Sequence, residues 1–144
     1  HQPRYSILGR WTERDGLLDQ LEKEGMGCIS FSPMAQGMLS NKYLSGIPEG
    51  SRGASGKLAA SRILDSEAVR RLNGLNDLAA ARGQSLAQMA VAYVLRDPRM
   101  TSALIGASRP EQIVDCAKAL SNVSFSADDL AKIDELAFES NDWR

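Results

Sequence analysis

Met100-Thr101-Ser102-Ala103-Leu104-Ile105-Gly106-Ala107-Ser108-Arg109-Pro110-Glu111-Gln112 reads as a strand, a tight turn and the start of a helix. The run from Met100 to Ile105 predicts a strand. Ser108 and Glu111 have capping-box spacing, and Pro110 falls in the first turn, where its missing N–H costs nothing. Strand, turn and helix in immediate succession is the repeating unit of α/β folds. Upstream, Ser85-Leu86-Ala87-Gln88 opens a helix by the same capping signal, and Leu86, Met89, Ala90, Tyr93 and Val94 fall on one helical face. Pro98 ends it. The predicted order of helix, strand, turn and helix is set by this one region.

Working outward, Gly27-Cys28-Ile29-Ser30-Phe31-Ser32 is a short β-prone run closed by Pro33, which suits a buried strand of a parallel sheet. Thr12 to Glu24 predicts a helix, from the Thr12 and Asp15 spacing, the Leu17, Leu18 and Leu21 stripe, and Gly25 as its stop. Ser66 to Arg82 predicts another, on Val69, Leu72, Leu75 and Leu78, with Gly83 ending it. A helix after Ser108 would turn Ile113, Val114, Ala117 and Leu120 to the core. A last one, about Ala127 to Glu139, is capped by Ser126 with Asp129 and presents Leu130, Ile133, Leu136 and Ala137. From Met34 to about Ser61 the chain has no sustained period, and an irregular connection of that length is usually functional.

Composition narrows the function. The chain has 144 residues, with 17 Lys plus Arg against 18 Asp plus Glu and a formal charge of −1. That balance gives no electrostatic case for nucleic acid, and no apolar run approaches the roughly 18 to 20 residues of a membrane span. The expectation is a soluble, cytoplasmic protein. Cys28 and Cys116 match no metal-ligand spacing and read as structural thiols. His1 is the only histidine, which removes Ser-His-Asp and Cys-His chemistry and predicts no metal site. With no initiator Met, the chain reads as a segment of a longer polypeptide.

Two places carry candidate chemistry. The Gly106-Ala107-Ser108 turn lets a ligand approach backbone at a helix start, and Arg109 adds a fork-shaped cation, so the turn suits an anion such as phosphate. An ordinary capped helix accounts for the same residues, because no dinucleotide or P-loop glycine fingerprint is present. The second place is Phe31-Ser32-Pro33-Met34-Ala35-Gln36-Gly37, at the carboxyl end of a strand, where α/β folds bind ligands. Phe31 there could stack on a planar ring or pack in the core. Lys42, Tyr43 and Arg52 could reach a phosphate or remain solvated.

Four ordered blocks, Gln2-Pro3-Arg4-Tyr5, Phe31 through Tyr43, Gly46-Ile47-Pro48 through Ser51-Arg52, and Ile105 through Gln112, make the chain resemble the aldo-keto reductase family. Within it the branch of bacterial L-glyceraldehyde 3-phosphate reductases and potassium-channel β-subunits is the most similar. The resemblance implies the C-terminal portion of a (β/α)8 TIM barrel, an incomplete barrel in this chain, from the end of the sixth strand onward. It implies a barrel that binds NADPH/NADP+ at the carboxyl ends of its strands and reduces small carbonyl substrates. By the same resemblance Gln2 would bond the nicotinamide carboxamide and Phe31 would pack beside the ring. Ser32, Pro33, Met34, Ala35 and Lys42 would line the pyrophosphate and ribose, with Arg52 arching over them. Gly106, Ser108, Arg109 and Gln112 would hold the 2′-phosphate and adenosine end, with Asp115 beside them.

The chain also departs from the family pattern. Asp115-Cys116 stands where relatives often carry Glu-Asn, and Gly50 where channel-type relatives have an aromatic. The family's catalytic Asp, Tyr, Lys and His lie upstream of this region, so no catalytic residue is assigned here. A whole barrel takes about 250 residues. The two strands and one strand end found here could not close one, and the remainder of the barrel is required. Alone, the chain is expected to be unstable and inactive. Trp11 could border the substrate pocket or simply pack on the surface. A homo-oligomer is compatible with the sequence, and a non-catalytic NADPH-binding or assembly module is the alternative function. A helical interaction domain without a ligand is a third reading.

Overall fold

Strands β1 (Cys28–Phe31) and β2 (Met100–Leu104) pair in parallel in a computed structural model that describes residues 1–49, 54 and 64–138. The register sets Ile29 against Ser102, Ser30 against Ala103 and Phe31 against Leu104, with an irregularity between Cys28 and Ile29. Thr101 is the extra residue, and its Oγ1 accepts a bond from the Cys28 N–H at 3.1 Å. The N-terminal segment lies along the other edge of β1. Ile29 N donates to the His1 carbonyl at 2.8 Å, Phe31 N to the Pro3 carbonyl at 3.0 Å and Tyr5 N to the Phe31 carbonyl at 3.3 Å. Arg4 is thereby bridged in parallel to Phe31. The three extended segments follow the order expected for the last strands of a parallel barrel.

Five α-helices lie among the described residues: α1 (Leu17–Lys23), α2 (Ser66–Ala81), α3 (Leu86–Leu95), α4 (Pro110–Ala117) and α5 (Ala127–Leu136). The Ser85 and Gln88 capping box and the Ser126 and Asp129 capping box both form. Helix α3 is buried beyond the predicted face, since Val91 and Ala92 are inaccessible as well. It separates two clusters. The larger joins Tyr5, Leu18, Leu39, Tyr43, Leu72, Leu86 and Ile133, and the smaller joins Val91, Ala92, Cys116 and Ala119. Both cysteines are free and buried, in keeping with structural thiols, and burial raises both thiol pKa values.

Four local expectations are corrected. Thr12 to Glu24 is not one helix: Trp11–Glu13 is a 3-10 turn, and Gly16 at φ 75° breaks the chain before Leu17. A left-handed residue cannot continue a right-handed helix, and the Asp15 carboxylate receives the Leu17 N–H instead. The helix after the Gly-Ala-Ser turn starts one residue late, with Arg109 at the N-cap and Pro110 first. Gln112, not Glu111, folds back over the turn. The face of α4 is also reversed. Cys116 and Ala119 are buried, whereas Ile113, Val114 and Leu120 are exposed at 55%, 61% and 66%. The last helix ends at Leu136, and Glu139 lies outside the described residues.

The sheet has one covered and one bare face. Pro3, Tyr5, Cys28 and Ser30 are buried toward the helices. On the opposite face, Gln2, Ile29, Phe31, Ser102 and Leu104 are exposed and Arg4 half-buried. Alternate residues of a barrel strand point inward, so this second face is the interior lining of a barrel.

Candidate cofactor site

The bare face and the two loops at the carboxyl end of the strands bring most of the predicted site residues together. Gln2 and Phe31 are on the same face, because Arg4 is bridged to Phe31 and Gln2 precedes Arg4 by one strand period. Phe31, at 38% exposure, is not core packing; its ring stands on the exposed face.

Directly after β1 the backbone is strained. Ser32, Ala35 and Gln36 have φ values of 57°, 48° and 58°. Each such non-glycine residue costs roughly 1 kcal/mol or more, and strain of this kind concentrates at ligand sites. A ladder of short-range bonds holds the loop: Ala35 N to Ser32 O at 2.9 Å, Gly37 N to Met34 O at 2.9 Å, and Leu39 N to Met34 O at 3.1 Å. Pro33 and Ala35 are buried, and Met34 packs against both core clusters. These three side chains are therefore spent on the core, and what the loop offers a ligand there is main chain. Lys42 is exposed, with its ammonium 5.8 Å from the Tyr43 ring centre. Tyr43 itself is buried and belongs to the core. Asn73 of α2 ties down the far end of the loop through the Leu44 carbonyl at 2.7 Å. Arg52, predicted to arch over the loop, lies outside the described residues, as does Gly50.

After β2 the turn is organised by Gln112. Its Oε1 accepts from Ser108 N at 2.8 Å, Ser108 Oγ at 3.2 Å and Arg109 N at 3.2 Å. Backbone N–H groups only donate, so the amide oxygen must face the turn and the amide NH2 points away from those groups. Arg109 is exposed and forms no ion pair among the described residues. Gly106 has open space where a Cβ would stand. With the two N–H groups and the hydroxyl of the turn taken by Gln112, the exposed Arg109 guanidinium beside the helix start is what the turn offers an anionic group. Asp115 is not part of that cluster. Its carboxylate accepts from Gln88 Nε2 at 2.7 Å and from Ser85 Oγ at 3.5 Å, which fastens α4 to the start of α3.

A polar cluster beneath the first segment was not found by reading motifs. Glu13 Oε1 accepts from Tyr5 Oη at 2.6 Å, Tyr93 Oη at 2.9 Å and Arg96 Nη2 at 3.0 Å, and Glu13 Oε2 accepts from Arg10 Nη2 at 2.8 Å. Although burial opposes it, the Arg10, Tyr5 and Arg96 bonds hold the Glu13 carboxyl down at about 2. Arg96 also stacks 3.7 Å from the Tyr93 ring centre. The spacing of Tyr5, Glu13, Tyr93 and Arg96 has no local period, so only the folded chain unites them.

A parallel sheet with one barrel-lining face and a ligand-ready carboxyl end defines the last part of an α/β barrel. The aldo/keto reductase family profile matches residues 1–137, and the chain belongs to that family. It is 48% identical over 139 residues to the L-glyceraldehyde 3-phosphate reductase of Escherichia coli strain K12, covering 94% of this chain and 40% of that protein. A protein of Oryza sativa subsp. japonica named "Probable voltage-gated potassium channel subunit beta" is 38% identical over 122 residues, covering 83% of this chain and 37% of its own length. The fold matches a crystal structure of a thermostable aldo-keto reductase bound to the inhibitor epalrestat, with a TM-score of 0.62 at 23% identity, over 94% of this chain and 39% of that one. The chain thus spans about two-fifths of the length of these relatives and forms the C-terminal portion of a (β/α)8 barrel. Among the described residues no helix is long and apolar enough to cross a membrane, and no three metal-ligating side chains cluster.

Proposed function

We propose that residues 1–144 are the C-terminal segment of a single barrel domain, completed by polypeptide outside this chain, and that the whole reduces small aldehydes or ketones to alcohols with NADPH. The observation that carries this reading is the shared face of Gln2 and Phe31, next to the cationic turn that follows the neighbouring strand. Bound NADPH would supply the hydride for the carbonyl carbon. Gln2 orients the nicotinamide amide and Phe31 covers one side of its ring. The main chain of Ser32, Pro33, Met34 and Ala35, with Lys42 and Arg52, lines the pyrophosphate and ribose. Gly106, Ser108, Arg109 and Gln112 take the 2′-phosphate and favour NADPH over NADH. Asp115, whose carboxylate also fixes α4 against Gln88, lies beside the adenosine end. Tyr43, beside Lys42, is buried in the core and is not placed to donate a proton to a substrate.

The 48% identity to an L-glyceraldehyde 3-phosphate reductase makes short, polar or phosphorylated aldehydes the first substrates to try. A cytoplasmic location goes with this reading. The similarity to a protein named as a channel β-subunit favours one second reading, a module that binds NADPH without turning over an aldehyde. Aldehyde-dependent loss of NADPH absorbance by the complete barrel separates the two. Turnover by the complete barrel and none by the 144-residue chain alone is the expected result; NADPH binding without turnover in the complete barrel would establish the second reading.

A further inference from the structure

Among the described residues two aromatic side chains are exposed, Phe31 and Trp11, each at 38%. Phe31 belongs to the proposed nicotinamide site, and Trp11 has no part in it. The place of Trp11 follows from the strand ladder. Phe31 N donates to the Pro3 carbonyl and the Phe31 carbonyl accepts from Tyr5 N, so the bonds to β1 come from the two residues that flank Arg4. In a parallel pair the residue between them turns its own N–H and C=O to the opposite edge. The Arg4 carbonyl therefore points away from β1, and Trp11 Nε1 donates to it at 3.0 Å. The indole thus stands on the outer edge of the N-terminal segment, at its carboxyl end and level with Phe31. With strands about 4.8 Å apart, its nitrogen is roughly 10 Å from the Phe31 main chain. The proposed cofactor contacts run the other way, from Phe31 to the turn after β2. The indole borders the part of the barrel mouth that they leave open.

The ring is also held in place. Trp11 opens a 3-10 turn, and its carbonyl accepts from Arg14 N at 3.0 Å and Asp15 N at 3.2 Å. Thr12 beside it is buried, and Glu13 is pinned by Tyr5, Tyr93, Arg10 and Arg96. A ring fixed in this way loses little freedom when a ligand packs on it. Its single donor is spent on the Arg4 carbonyl, so the exposed part of the indole offers carbon surface.

We infer that Trp11 is a specificity-determining residue that walls the carbonyl-substrate site and selects aldehydes whose non-reacting end is planar and apolar, aryl aldehydes among them. This rests on the reductase reading above and names a substrate class for that site. An aryl group packs flat on the indole, whereas the hydroxyls of glyceraldehyde find no partner there.

The test uses the complete barrel that contains this chain. Reduction of benzaldehyde and of glyceraldehyde is compared in wild type, Trp11→Phe and Trp11→Gln. Phenylalanine keeps an aromatic wall without the N–H, and glutamine keeps an N–H donor for the Arg4 carbonyl without the wall. Binding of benzyl alcohol to the NADPH-loaded protein, a pair that cannot react, is measured by calorimetry. Trp11→Gln should lower the kcat/KM ratio of benzaldehyde to glyceraldehyde at least tenfold, chiefly through KM, and weaken benzyl alcohol binding as much. Trp11→Phe should keep both near their wild-type values. NADPH affinity, followed by fluorescence, should not change in either. A ratio unmoved in Trp11→Gln, an equal loss on both aldehydes, a greater loss in Trp11→Phe than in Trp11→Gln, or a wild type that reduces glyceraldehyde but not benzaldehyde would overturn the role of Trp11. Failure of the wild type to bind NADPH or to reduce either aldehyde would instead overturn the reductase reading itself.

Discussion

Tyr5 Oη donates to Glu13 Oε1 over 2.6 Å, and through that bond the segment carrying Gln2 is fastened to helix α3, because the same carboxylate oxygen receives Tyr93 and Arg96. The Glu13 side chain is only 19% exposed, and its partners Arg10 and Arg96 are 16% and 20% exposed. Removing one member of such a cluster leaves the others buried and uncompensated, at a cost of about 3 kcal/mol. Glu13→Ala should therefore lose about that much stability in urea unfolding at neutral pH, far more than a surface substitution such as Glu22→Ala.

The same carboxylate predicts an acid dependence. Its pKa is about 2 in the folded chain against an ordinary value of 4.5. A group depressed on folding contributes fully above its unfolded value and loses that contribution as pH falls through the folded one. Stability should fall between about pH 4.5 and pH 2, and the fall should be shallower in Glu13→Gln. Equal slopes in wild type and Glu13→Gln would show that the carboxylate is not held down.

Strain in the loop after β1 is open to a direct check. Gln36 is exposed at φ 58°, a conformation glycine adopts without penalty. Gln36→Gly should raise stability by about 0.5 kcal/mol or more, whereas Gly16→Ala, at φ 75° with open space around it, should cost about 1 kcal/mol. Both are read from denaturant midpoints.

Gln112→Glu separates the fold of the turn from its ligand. A carboxylate accepts the Ser108 and Arg109 donors as the amide does, and it favours a helix N-terminus by a few tenths of a kcal/mol. It would also repel a phosphate in the same turn. The expected result is unchanged or slightly raised stability with NADPH affinity reduced at least tenfold, measured by fluorescence titration.

The sequence made the strands and the capping boxes legible because their signals are local: Ser85 with Gln88 and Ser126 with Asp129 each act within one turn of helix. Thr12 with Asp15 had the same spacing and misled, since Gly16 interrupts the chain one residue later and outweighs a cap. The reversed face of α4 has a different cause. Helical period locates an apolar stripe but not what covers it, and Ile113, Val114 and Leu120 face away from every described element. Of the site, the turn residues and Phe31 were readable as motifs, while the place of Trp11 and the Glu13 cluster appear only when strand register and folding bring distant positions together. The packing role of Asp115, its bond to Gln88, was likewise not legible, since the two residues stand on different helices.

The exposed α4 stripe has its own consequence. If the remainder of the barrel covers it, Val114→Asp should destabilise the complete barrel by about 2 kcal/mol, the transfer cost of a buried valine, and if solvent covers it, by less than about 0.5 kcal/mol. Comparison of the wild-type and variant unfolding curves decides it.

The most direct test of the account is the ratio of NADPH to NADH affinity in the complete barrel, with Arg109→Ala beside the wild type. The account predicts at least a tenfold preference for NADPH that collapses in Arg109→Ala while NADH binding holds, because only the 2′-phosphate meets the turn after β2. Equal affinity for the two nucleotides in the wild type, or a preference that survives Arg109→Ala, would contradict it.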